Sequence, residues 1–88
     1  MSILQNTIII YSTPICPYCT LAKNLLTRKG LMFTEVDVSD PQERLALMEK
    51  AGGRKTVPQI FINDHHIGGY DDLTSADQSG ELDNLLRK

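Results

Sequence analysis

From Thr7 to Tyr11 the chain runs as TIIIY, an unbroken β-branched stretch with the pattern of a strand covered on both faces. At Pro17 the spacing changes. Leu21 and Leu25, then Ala22 and Leu26, stand four apart as on a helix, and Gly30 after Arg28 and Lys29 marks its stop. MFTEVDV, Met32 to Val38, predicts a second strand. In SDPQERLALMEKAGG, Asp40 takes the N-cap, Pro41 the first helical position, and Gly52 or Gly53 the end. QIFINDHHIGG, Gln59 to Gly69, predicts two short strands turning at Asn63-Asp64, a favourable hairpin pair. The remainder divides into two short amphipathic helices, the second carrying Leu82, Leu85 and Leu86.

The element order is therefore β-α-β-α-β-β-α, and the fold class is α/β. The first three strands alternate with helices, which implies parallel pairing through crossovers, and the hairpin adds antiparallel pairing. A four-stranded mixed sheet flanked by helices is expected. The 88 residues are expected to form one domain, 1–88, with no repeat or linker.

A hydrophobic content of 41% and a charged content of 23% are ordinary for a globular chain. A net charge of -2, with the signs interspersed, argues against nucleic acid or an anionic membrane as the main partner. MSILQNTIII lacks the basic start and small-residue cleavage site of a signal peptide. No apolar run approaches the roughly 18 residues of a membrane span. A cytoplasmic location is expected.

That context bears on the two cysteines, Cys16 and Cys19, in TPICPYCT. As a structural staple they would close a loop of two residues, which gains little entropy, and cytosolic thiols stay reduced unless their disulfide is transient. As half of a zinc site they would need His65 and His66, but neighbouring strand residues point to opposite faces. No metal ligand set is expected, and both histidines read as surface strand residues.

A reaction centre fits better. Cys16 precedes a helix, where unpaired N–H groups and the positive dipole end favour an anion, and Pro17 at the first position loses no needed hydrogen bond. Cys19 lies one turn on, and Cβ atoms three apart on a helix are about 5–6 Å apart, against about 3.5–4.5 Å in a disulfide. Such a bond closes with a small adjustment and opens readily. Cysteines at helix starts have pKa values of roughly 3.5–7.5, against about 8.5 for a free thiol. Cys16 is thus the expected attacker and Cys19, beside Leu21 and Ala22, its more buried partner. A drop of about three pKa units raises the thiolate fraction roughly thirtyfold near neutral pH but costs roughly twentyfold in nucleophilicity. The gain falls to Cys16 as a leaving group.

CPYC after a strand, TVPQIFIN (Thr56 to Asn63) and GGYDDL (Gly68 to Leu73) together resemble the glutaredoxins, and the small dithiol bacterial type in particular. The likeness runs from the first strand to the final helix. It implies a thioredoxin-like fold and a glutathione-dependent disulfide oxidoreductase. Protein disulfides and protein–glutathione mixed disulfides would be reduced with glutathione as co-substrate, Cys16 as nucleophile and Cys19 as resolving cysteine, in a monomer whose partners are such proteins. The resemblance further implies a glutathione site. Tyr18 lines the groove beside Cys16. The Val57-Pro58 bond is cis, and the Val57 backbone pairs with the cysteinyl backbone of glutathione. Gly68 and Gly69 allow close approach. Tyr70, Asp71 and Asp72 open a helix whose N–H groups hold the γ-glutamyl carboxylate, and the Asp72 side chain takes the ammonium group. By the bland reading Asp71 and Asp72 cap that helix, a role Asp71 can fill alongside binding.

Many glutaredoxins carry lysine where this chain has Thr13, three residues before the nucleophile. Arg54 and Lys55, just before Thr56, could take over its contact to the glycine carboxylate or, by the bland reading, are solvated loop charges; they do not stand in for its charge beside the Cys16 thiolate. Two other readings stand beside the enzyme: a carrier of a glutathione-ligated [2Fe–2S] cluster bridging two chains through Cys16, and a redoxin reduced by a flavin reductase. Pro17 and the partner Cys19 favour the enzyme over the carrier, and the glutathione-site residues count against the third.

Overall fold

The computed structural model describes residues 6–54 and 56–86; Lys55 lies outside the described residues. Its elements are β1 (Ile8–Ser12), α1 (Pro17–Arg28), β2 (Thr34–Asp37), α2 (Pro41–Lys50), β3 (Gln59–Ile62), β4 (His65–Gly68), α3 (Tyr70–Ser79) and α4 (Glu81–Leu86). They build a four-stranded mixed sheet in the order β2-β1-β3-β4.

β1 pairs parallel with β2, and β3 antiparallel with both β1 and β4. The alternation of strands and helices implied that β3 would run parallel to β1, and it does not. The registers give the reason. Ser12 pairs with Asp37 and Tyr11 with Gln59, so β2 finishes at the sheet end where β3 begins. α1 carries the chain the length of the sheet, whereas α2 and the connection after it return the chain to the end it left. All of these termini meet where α1 starts.

One face of the sheet holds the main core: Ile8, Ile10, Ile60 and Ile62 pack under Ala22, Leu25 and Leu26 of α1, with Leu73 and Ala76 of α3 and Leu82 of α4. Among the described residues the other face buries Val38, Leu47 and Ala51, flanked by Tyr11, Val36, Val57 and Phe61. β1 is therefore buried deeply on one side and partly on the other, because α2 brings one large buried side chain, Leu47. Leu21 falls outside the helix face that packs, which runs through Cys19, Ala22, Leu25 and Leu26.

The hairpin turn has φ 50° at Asn63 and φ 70° at Asp64, the doubly positive pair that matches strand twist in a two-residue loop. Asn63 also ties the chain ends together. Its Oδ1 accepts from the Thr7 N–H at 2.8 Å, and its Nδ2 donates to Asn6 Oδ1 at 2.8 Å and to the Leu85 carbonyl at 3.2 Å. Among the described residues no helix is long and apolar enough to cross a membrane.

Candidate active site

β1 ends at Ser12, and four residues later Cys16 takes the N-cap of α1 in an extended conformation. Pro17 then sits at the helix start, where its missing N–H costs nothing. The Cys19 N–H donates to Cys16 Sγ at 3.1 Å, so the sulfur does what a capping oxygen does elsewhere. Cys16 and Cys19 form a disulfide with Cα atoms 5.2 Å apart. Cys16 is half-buried and Cys19 is 1% exposed, an asymmetry that leaves Cys16 as the sulfur open to a partner. Cys16 Sγ also lies 3.8 Å from the Val57 carbonyl oxygen, on the segment just before β3. The Val57-Pro58 bond is cis.

Beside this pair opens a cleft of about 430 Å³, lined by Tyr18, Arg54, Thr56, Val57, Pro58, Gly69, Tyr70, Asp71 and Asp72. Three separate stretches of sequence thus converge on one concavity. Tyr18 of α1 and Tyr70 of α3 meet across it with ring centroids 6.1 Å apart. Asp72 Oδ2 accepts from the Gly69 N–H at 2.9 Å and from Arg54 Nη1 at 3.2 Å. The Gly69 bond, more than Arg54, holds the Asp72 carboxyl below its usual range against a smaller opposing effect of burial. The start of α3 is therefore secured by Asp72, not by Asp71. Asp71 sits two residues from Gly69, whereas Asp72 is the third helical residue and can reach back to the N-cap N–H. Gly68, at φ 118°, admits no side chain, since a Cβ there would run into the Asp72 carboxylate and Arg54 Nη1.

Thr13 borders a smaller hollow of about 300 Å³ with Ser12, Pro14, Glu35 and Asp37. The Ser12 hydroxyl donates to Glu35 Oε2 at 2.5 Å and the Lys23 ammonium at 2.9 Å, which together lower the Glu35 pKa. The surroundings of Thr13 are thus acidic, and Lys23 is engaged by Glu35. Ile15, next to Cys16, is 93% exposed.

Sequence reasoning passed over Gln59 and misread His66. Gln59 opens β3 fully buried; its Nε2 donates to the Thr56 carbonyl and to Thr56 Oγ1, both at 3.1 Å. His65 is exposed as expected, but His66 is half-buried, its ring stacked on Phe61 with centroids 4.7 Å apart and its Nε2 2.7 Å from Gln59 Oε1. His66 pairs directly with Phe61 of β3, whose ring covers it. The available signal was a polar residue opening the apolar run QIFI, since a buried amide demands partners.

The Glutaredoxin family model matches residues 8–67. The chain is 49% identical over 85 residues to Glutaredoxin 1 of Rickettsia typhi, spanning 94% of this chain and 82% of that protein. The solution structure of glutaredoxin from Brucella melitensis superposes with a TM-score of 0.80 at 51% identity, over 91% of this chain and 87% of that one. The crystal structure of a buckwheat glutaredoxin–glutathione complex gives 0.83 at 30% identity, over 93% and 77%.

Proposed function

This chain belongs to the glutaredoxin family of thiol–disulfide oxidoreductases, and on that premise we propose that it uses glutathione as co-substrate to reduce protein–glutathione mixed disulfides and protein disulfides. The observation that carries this reading is the cleft running from Cys16 along Thr56, Val57 and Pro58 to the start of α3. Its volume is in the range of small-molecule sites, roughly 300–1,000 Å³. The buckwheat relative in complex with glutathione supports the same choice of ligand.

In the first half-reaction the Cys16 thiolate attacks the glutathionyl sulfur of a mixed disulfide. The Cys16–glutathione disulfide forms, and the target cysteine leaves as a thiolate and takes a proton. A second glutathione, having lost its thiol proton, attacks the glutathionyl sulfur; glutathione disulfide departs and the Cys16 thiolate returns. With a protein disulfide, Cys16 attacks one sulfur and the other leaves. Deprotonated Cys19 then attacks Cys16 Sγ, freeing the reduced target and closing the Cys16–Cys19 disulfide. Two glutathione molecules reopen it.

Each part of the tripeptide has a partner in this reading. The Val57 N–H and C=O pair with its cysteinyl backbone in the manner of an added strand. The free N–H groups at the start of α3 take the γ-glutamyl carboxylate. Both protein bonds to Asp72 fall on Oδ2, leaving Oδ1 for the ammonium group. Arg54 serves the glycine carboxylate, with Tyr18 and Tyr70 as walls. The protein is taken to act as a monomer in the cytoplasm. The test is reduction of a glutathionylated peptide at increasing glutathione, followed by release of the peptide thiol. Turnover that rises with glutathione and saturates with peptide is expected. Turnover indifferent to glutathione, or restored only by a flavin reductase, overturns the proposal.

A further inference from the structure

We propose that His66 is a positioning residue for the cleft, fixing the Thr56-Val57 wall through the buried amide of Gln59. The inference rests on the glutathione reading only for what the wall is positioned to bind.

The Thr56 carbonyl can only accept a hydrogen bond, so the Gln59 amide must turn its NH₂ toward Thr56, where both protons are used at 3.1 Å. The amide oxygen then faces β4, 2.7 Å from His66 Nε2. That nitrogen must carry a proton, whether the ring is neutral or cationic. The ring has little freedom of its own: Phe61 covers it face on at 4.7 Å, and the sheet pairs Phe61 with His66 directly. Between Phe61 and Ile60 the register shifts, so Gly68 rather than Ile67 stands opposite Ile60 and the chain leaves β4 toward the cleft. A rigid ring thus orients a fully buried amide, the amide holds both the carbonyl and the hydroxyl of Thr56, and the next residue presents its carbonyl 3.8 Å from Cys16 Sγ. Without the His66 proton, Gln59 Oε1 is buried and unpaired. Rotating the amide to regain a donor from the Thr56 hydroxyl gives up the bond to the Thr56 carbonyl. Either outcome loosens the wall without touching the reacting sulfur.

Four variants separate this role from a merely structural one: His66→Phe keeps the ring and loses the donor; His66→Gln puts an amide nitrogen near the place of Nε2; Gln59→Leu and the Gln59→Leu/His66→Phe pair remove the link. For a glutathionylated peptide, His66→Phe is expected to raise KM about three- to tenfold with kcat within about twofold, the effect of one lost hydrogen bond. His66→Gln should bring KM back to within about twofold of the parent, and His66→Phe should add nothing once Gln59→Leu is present. A lowered Tm with unchanged KM in His66→Phe, or failure of His66→Gln to restore KM, overturns the inference. Nitrogen-15 shifts of His66 in the parent protein should show the neutral ring protonated at Nε2; protonation at Nδ1 overturns it whatever the kinetics. If the parent shows no glutathione-dependent turnover, the glutathione reading falls by itself. The tautomer, and faster amide exchange at Val57 in His66→Phe, still decide the positioning role.

Discussion

Arg54 and Asp72 meet at the mouth of the cleft, Nη1 3.2 Å from Oδ2, with the whole β3–β4 hairpin between them in sequence. Both side chains are about half exposed, 46% and 47%, so the ion pair itself contributes little to stability. What it does is aim two charges of opposite sign at one concavity. A hydrogen bond between charged groups is worth roughly 1.5–3 kcal/mol, about tenfold to a hundredfold in affinity. Asp72→Lys is expected to weaken the apparent affinity for glutathionylated substrate by that order, and Arg54→Ala by less. Steady-state kinetics check this, and equal, negligible effects would mean that glutathione does not use this cleft. Asp72→Lys should also lower stability by about 1–2 kcal/mol, since it removes the acceptor of the Gly69 N–H and puts a cation at a helix start.

The two cysteines should divide two activities. Cys16→Ser is expected to abolish all exchange. Cys19→Ser should retain deglutathionylation, because free glutathione resolves the mixed disulfide, and should lose the dithiol route to protein disulfides. Assays on a glutathionylated peptide and on a disulfide-bonded protein decide it. Appreciable deglutathionylation by Cys16→Ser would reverse the assignment.

Thr13→Lys is expected to change the Cys16 thiolate only slightly. In the parent, alkylation rate against pH should titrate well below a free thiol, because Cys16 sits at the helix start and accepts the Cys19 N–H. A lysine at Thr13 would enter the hollow that holds Glu35 and Asp37 and find carboxylates there. An unshifted titration in the parent would remove the leaving-group advantage.

Stability should fall at acid pH in two stages. Burial first, then Arg54, lowers the His66 pKa against Asp72, so the unfolded chain takes up this proton more readily. That contribution is present above the unfolded value of about 6.5 and declines as pH falls toward the native one. Glu35, Asp37 and Asp72 are lowered mainly by hydrogen bonds from Ser12, Ser39 and the Gly69 N–H, and their contribution is lost as pH falls below about 4. Tm against pH should therefore decline gently below about 6.5 and more steeply below about 4. His66→Gln should remove the first stage alone.

Asn63→Gly keeps the positive φ of the hairpin turn and removes the side chain that joins Thr7, Asn6 and Leu85. With three exposed bonds, each at the low end of roughly 0.5–1.5 kcal/mol, a loss of about 1.5–2 kcal/mol is expected in urea unfolding. An unchanged midpoint would mean that water replaces these bonds without cost.

The elements were legible because their signals are local. Pro17, Pro41 and Asn63-Asp64 mark starts and turns by their own backbone preferences, and the motifs around Cys16, Val57 and Asp72 name residues that the fold brings to one cleft. The direction of β3 was not legible, because it depends on whether α2 spans the sheet, which no window of sequence records. The cap of α3 was open between Asp71 and Asp72, and a one-residue difference in reach selects Asp72. His66 looked like a surface residue since its cover, Phe61, lies on another strand, and Gln59 betrayed itself only by being polar where its neighbours are not.

The unequal cores on the two faces of the sheet bear on how the molecule breathes. Amides of β1, β3, α1 and α3 are locked by ten buried side chains and should exchange with solvent only when the whole fold opens. α2 is fastened by Leu47, whose burial is worth about 3 kcal/mol, with Ala51 just beyond it and Lys50 reaching the Tyr11 hydroxyl at 3.4 Å, so it should open more readily than the other face. Val57 packs on that lightly fastened side while Cys16 heads α1, a helix rooted in the other. Cys16 is thus borne by the stiff half of the protein, and the Thr56-Val57 wall, tied by Gln59, keeps its place while the helix behind it yields. A bulky protein substrate would then be met by yielding of α2, with Cys16 and Val57 held still.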